Sequence, residues 1–96
     1  MDMKFDISDF VKTTTIQSVL SELTNNVKAR RKELKLSQRL LAQKSGVSYA
    51  SIRRFESTGD ISLTSLLKIA SALNCLEDFK ALFATKQIKS LKDLEV

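Results

Sequence analysis

Apolar residues recur along this chain at helical rather than alternating intervals, in blocks separated by short polar links. From Ile16 the positions Val19, Leu20, Leu23, Val27, Ala29/Arg30 and Leu34 continue one stripe. Thr24-Asn25-Asn26 is weak helix-forming sequence within it, so the block predicts one long first helix or two in tandem. Lys35-Leu36 makes a short link, and Ser37 is placed to cap a second helix that buries Leu41 and Ala42. Gly46 ends that helix, because glycine enters the left-handed C′ conformation without steric cost. Ser48 caps a third helix, which runs to about Ser57 and buries Ile52 and Phe55, and Thr58-Gly59-Asp60 follows as a loop. A fourth helix starts at Ser62 or a neighbour, with Leu63, Leu66, Leu67, Ile69, Ala70 and Leu73 inward and Asn74 as its stop. Glu77 to Ala84 makes a fifth, burying Phe79, Leu82 and Phe83.

The ends are less regular. Phe5 and Ile7 alternate with charged residues, which suits a short strand or an arm over residues 1–14, and Thr13-Thr14-Thr15 offers several N-caps. Ser90 followed three residues later by Asp93 is close to a capping box for a final short turn. No repeat, linker or low-complexity stretch divides the chain. Its 96 residues fit one domain, and with no proline and two glycines little interrupts helix.

Composition narrows the chemistry. Histidine is absent and Cys75 is the single cysteine, which puts zinc sites, histidine acid–base catalysis and intrachain disulfides out of reach. Cys75 itself reads as a small buried hydrophobe. No apolar run approaches ~18 residues, and Met1-Asp2-Met3-Lys4-Phe5-Asp6 carries acids where a signal peptide needs a basic start. The expectation is a reduced, cytoplasmic protein without a membrane partner. Charge is concentrated. Residues 27–58 hold nine basic side chains against Glu33 and Glu56, a net +7, whereas the rest of the chain is −2. Such a block is the electrostatic footprint of a polyanion partner.

The block coincides with the second and third helices. Ala42 carries only a methyl group, so a helix can cross closely above it, while Gly46 reverses the chain and Val47 and Ile52 fill the angle. The third helix then exposes Ser48, Tyr49, Ala50 and Ser51, and one turn later Arg53 and Arg54. Tyr49, Ala50 and Arg54 share roughly one outward face. This is how a helix is presented to the DNA major groove.

The series Ser37-Gln38-x-x-Leu41-Ala42, Gly46-Val47-Ser48 and Ile52-x-x-Phe55-Glu56 resembles the Cro/CI-type (XRE) helix-turn-helix of phage repressors and bacterial regulators, over about Val27 to Phe83. The resemblance implies an all-α, five-helix, lambda-repressor-like domain with short N- and C-terminal extensions. The boundaries are an arm over 1–15, a DNA-binding domain over 16–84 with its helix-turn-helix unit at about 37–57, and an extension over 85–96. It implies a homodimer on palindromic double-stranded operator DNA. Base contacts fall to Ser48, Tyr49, Ala50, Arg53 and Arg54. Phosphate contacts fall to Ser37, Gln38 and Ser51, with Lys28, Arg30, Lys35 and Lys44 as anchors. Arg31 and Glu56 correspond to a structural ion pair. Two departures stand out: Leu40 lies where the family commonly has a polar residue, and Ser57-Thr58-Gly59-Asp60 is less basic than in phage repressors. Within the family, Ser51 to Leu67 looks most like HipB-like antitoxins paired with HipA-type kinase toxins, which implies a repressor of its own operon.

Two further readings compete. One is a protein-interaction module that restrains a partner such as a toxin kinase, using Leu40 and residues 1–14 and 84–96. The other is a small nuclease, which the scattered acids disfavour: Glu77-Asp78 is the nearest approach to a metal-binding pair. No catalytic residue, metal or cofactor is expected. Phe79, Leu82, Phe83, Ile88, Leu91 and Leu94 exceed what one small core needs, and form either a cap on it or a dimer surface.

Overall fold

The computed structural model describes residues 14–86, and within them the chain is all-helical: α1 (Ile16–Glu33), α2 (Gln38–Ser45), α3 (Tyr49–Thr58), α4 (Leu63–Ala72) and a terminal 3-10 helix (Leu76–Ala81). Every α-helix begins at a side-chain cap. Thr15 and Ser18 form a reciprocal capping box on α1, while Ser37, Ser48 and Ser62 each accept the backbone N–H three residues on.

The first helix is continuous through Thr24-Asn25-Asn26. The Thr24 hydroxyl turns back and shares its proton between the carbonyls of Leu20 and Ser21, both at 3.0 Å, so it is satisfied inside the helix. Leu20, Leu23 and Val27 of the apolar stripe are half-buried, and Thr24 and Arg31, on the same face, are the buried residues of α1, whereas Ile16 and Val19 are exposed. Hydrophobic periodicity places the helix and its inward face but not the polar residues buried on it, because α1 meets α3 through a polar contact.

Helices end on left-handed residues. Gly46 (φ 79) and Gly59 (φ 84) close α2 and α3, each donating its N–H to the carbonyl four residues back. Lys35 (φ 59) and Asn74 (φ 62) do the same work after α1 and α4 without glycine's freedom. The next N–H in each case, from Leu36 and from Cys75, bonds the carbonyl five residues back, which is the Schellman pattern.

The core is a cluster of Leu41, Val47, Ile52, Ile69 and Leu73, where α2 packs on both α3 and α4, and Phe55 and Leu66 are buried beside it. Ala42 is half-buried against the cluster. Two expectations fail. Leu63 is exposed rather than inward, because a side chain at the first helical position leans back past the helix start. The fifth helix is a 3-10 segment, and Leu82 and the fully exposed Phe83 are not buried. Cys75 supplies no side-chain cap there, and Asp78 N–H closes onto the Cys75 carbonyl three residues back, which sets the tighter winding. Phe79 is half-buried, at an apolar groove between α1 and α4 that Leu23, Val27, Leu66 and Leu73 also line. Ile88, Leu91, Leu94 and the Ser90 turn lie outside the described residues, as does the arm up to residue 13.

Candidate nucleic-acid interface

Helix α3 is built with two faces. Ile52, Phe55 and Glu56 are buried, and Ala50, Arg53 and Arg54 are exposed opposite them. Glu56 is what fixes the inner face. Arg31 Nε donates to Glu56 Oε2 at 2.8 Å and Arg31 Nη2 to Oε1 at 2.9 Å, a bidentate pair between α1 and α3. The third guanidinium nitrogen, Nη1, donates to the Leu36 carbonyl at 2.9 Å. Gln38 Nε2 completes the group by donating to Glu56 Oε1 at 2.9 Å. Burial alone would raise the Glu56 pKa, but hydrogen bonds from Arg31 and Gln38, with the charges of Arg31 and Lys28, outweigh it and hold the carboxyl below its ordinary value. One acid inside a basic region is thereby neutralised, and the last turn of α1, the start of α2 and the last turn of α3 are locked together.

The outer face is basic and open. Lys28, Gln38, Ala50, Arg53, Arg54 and Ser57 gather round one shallow concavity beside α3, with the paired Glu56 also lining it. Neither α2 nor α3 has an acid in its first turn, so the positive ends of both helix dipoles are left uncompensated. Tyr49, half-buried at the start of α3, carries the Arg39 guanidinium 4.1 Å from its ring centroid and that of Arg53 at 5.5 Å. Arg54 Nη2 lies 2.7 Å from Asp60 Oδ2.

Other candidate positions lie differently. Ser37, Ser48 and Ser51 are engaged in caps: Ser37 Oγ accepts from Leu40 N–H, Ser48 Oγ accepts from Ser51 N–H, and the Ser48 hydroxyl donates to Ser51 Oγ. Lys35 is exposed just before the Ser37 cap. Arg30 is not brought to the α3 face. With Arg31 turned inward, its neighbour points about 100° away around the helix, where it pairs with Glu33 and lines the groove beside α4. Lys44 is also apart, with Lys68 at the C-terminal ends of α2 and α4. Leu40 is exposed on α2.

Sequence reasoning omitted Arg39 and Asp60, each of which contacts a predicted base-reading residue. Arg39 had a signal, as an exposed cation in the first turn of the helix preceding Tyr49. Asp60 had none beyond its place one residue after a glycine. Among the described residues, no three His, Cys, Asp or Glu side chains are grouped to hold a metal ion, and no helix is long and apolar enough to cross a membrane.

A family model described as helix-turn-helix matches residues 27–79, from the second half of α1 into the 3-10 helix. No curated protein and no solved structure matches the chain.

Proposed function

The chain belongs to the helix-turn-helix family, a family of DNA-binding rather than enzymatic domains and here a sequence-specific DNA-binding regulator, and on that premise we propose that it is a homodimeric repressor reading a palindromic operator through α3. The observation that carries this reading is the two-faced third helix. A buried ion pair fixes the inner side, and cations from α1 and α3 surround an open concavity whose wall includes the neutralised Glu56. Arg54, Arg53, Tyr49 and Ala50, with Ser48, face base edges; Arg54 is the guanine reader, worth ~1–3 kcal/mol of discrimination. Lys28, Lys35 and Gln38 take phosphates near the starts of α2 and α3, where Ser37 and Ser51, whose Oγ atoms accept within the caps, each keep a hydroxyl proton to donate. After its bond to Glu56, Gln38 keeps one N–H for that purpose. Arg30 and Lys44 serve only where DNA extends past the α3 face. The domain spans residues 16–84, with the arm and extension flanking it.

Selection of bound duplexes from a random pool tests this directly. The expected outcome is an enriched palindrome with half-sites about 10 base pairs apart, centre to centre. Enrichment of a single half-site would remove the dimer, and no enrichment would remove base readout.

A finer reading rests on the likeness of residues 51–67 to antitoxins of HipA-type kinases. In it, the regulator represses its own operon and restrains a HipA-like kinase through exposed Leu40 and the two terminal segments. Co-purification with such a kinase encoded beside it supports this reading. Operator binding without any complex leaves a phage-type repressor instead.

A further inference from the structure

Asp60 stands where a DNA-reading surface has least use for an acid. It is exposed on the loop between α3 and α4, beside Ser51, Arg54 and Ser65, and a phosphate backbone approaching α3 would repel it. Yet its position is built with care. Gly59 takes the left-handed conformation (φ 84) and turns the chain sharply after α3. The Asp60 N–H donates to Thr58 Oγ1 at 3.1 Å, and the Thr58 hydroxyl donates to the Arg54 carbonyl at 2.8 Å. The carboxylate thus comes back to the side chain of Arg54, with Nη2 and Oδ2 2.7 Å apart.

Stability does not account for the pair, since both side chains are well over half exposed and such surface pairs contribute little. Orientation does. An arginine reads guanine by presenting two N–H groups in one plane to O6 and N7. A free arginine loses rotamer entropy in doing so. A carboxylate that engages one nitrogen leaves other donors of the same rigid fork free and restricts how the fork can turn. Water weakens the pair in the unbound protein, and closure against a groove removes that water.

We propose that Asp60 is a positioning residue for base readout, holding the Arg54 guanidinium in the plane from which it reads a guanine at the expense of general affinity for DNA. The inference rests on the reading of Arg54 as a base contact.

The test measures Kd for wild type, Asp60→Asn, Asp60→Glu and Arg54→Ala on the selected site, on that site with each base pair changed in turn, and on a non-cognate duplex. Asp60→Asn should bind the non-cognate duplex roughly threefold more tightly, as expected for removing one like charge about 7 Å from phosphate in water. It should also lose about 3–10-fold of discrimination, part of what one arginine–guanine pair provides, at the same base pair that Arg54→Ala relaxes. Asp60→Glu should keep wild-type non-cognate affinity and most of the discrimination. Uniformly tighter binding by Asp60→Asn with unchanged base preference would overturn the proposal while leaving the Arg54 reading intact. Relaxation at a different base pair would also overturn it, by making Asp60 a reader in its own right. An Arg54→Ala protein with wild-type base preference would overturn both readings. Thermal melts of all four proteins should agree within a few degrees, because neither residue is buried.

Discussion

Separating Arg31 from Glu56 should be the most damaging polar change available in this domain, and replacing both together should be far milder. The pair is almost wholly buried, with side chains 10% and 4% exposed. Glu56→Leu removes two charge-assisted hydrogen bonds from Arg31 and leaves its guanidinium with only the Leu36 carbonyl. At ~1.5–3 kcal/mol each the lost bonds amount to about 3–6 kcal/mol, in line with the ~3–5 kcal/mol cost of leaving a buried charge without its partner. Arg31→Met strands Glu56 with Gln38 alone and should cost a similar amount. A domain of this size has a total stability of roughly 5–10 kcal/mol, so each single variant should be near the edge of folding. The double variant leaves no buried charge and fills the space with apolar volume, and should recover to within about 1–2 kcal/mol of wild type. Urea unfolding followed by far-UV circular dichroism measures all four proteins. Single costs under about 1 kcal/mol, or a double variant as damaged as the two singles combined, would refute the reasoning. Acid provides an independent check. Because the Glu56 pKa is lowered in the folded protein, its contribution is complete above the ordinary carboxylate value of 4.5 and is lost as pH falls through the lowered one. Wild type should therefore keep this contribution down to the ordinary value of 4.5 and lose it progressively as pH falls further, and the double variant should lose less.

Three further outcomes follow from the backbone and the reading face. Gly46→Ala and Gly59→Ala should each cost ~1–2 kcal/mol from left-handed strain alone, since the added Cβ meets nothing within 4 Å at Gly46 and only ordinary contact, 3.6 Å from Leu20, at Gly59; thermal melts measure both. Lys35→Gly should relieve the strain at φ 59 and stabilise by about 0.5–1 kcal/mol while weakening DNA binding, so a melt and a binding titration should move in opposite directions. Arg39→Ala should lower the salt slope of DNA binding by about 1 and change the fluorescence of Tyr49, the sole tyrosine in a chain without tryptophan.

The parts of this fold that were legible in the sequence are those written in local chemistry. Ser37, Ser48 and Ser62 mark helix starts because a hydroxyl must satisfy the backbone donors that follow it, and Gly46 marks an end because its φ is positive. Lys35 marks the equivalent end of α1 but carries no such mark, since a lysine enters that conformation only when the tertiary structure demands it. Thr24 was readable as a helix weakness and not as the back-bonded, buried residue it is, because a polar side chain on the inward face carries no hydrophobic signal. The fifth helix misled for a related reason: its apolar spacing is helical, but the cap that would start an α-helix is missing.

At the interface the same division holds. The outward set on α3 follows from spacing along one helix, whereas Arg39 over Tyr49 and Asp60 on Arg54 join residues from different elements. Arg30 and Lys44 count equally with Lys28 in a sum of charge, and only the helix rotations separate them.

The most direct test of DNA readout by α3 is an equilibrium titration of the selected duplex with wild type and with Arg54→Ala across a range of salt. If six to ten phosphates are engaged per dimer, affinity should fall ~10³–10⁵-fold between about 50 and 200 mM salt. The variant should keep that slope but lose about 5–150-fold of discrimination at one base pair in each half-site, the equivalent of one bidentate arginine–guanine contact. Weak, salt-insensitive binding with the same base preference in both proteins would contradict the account.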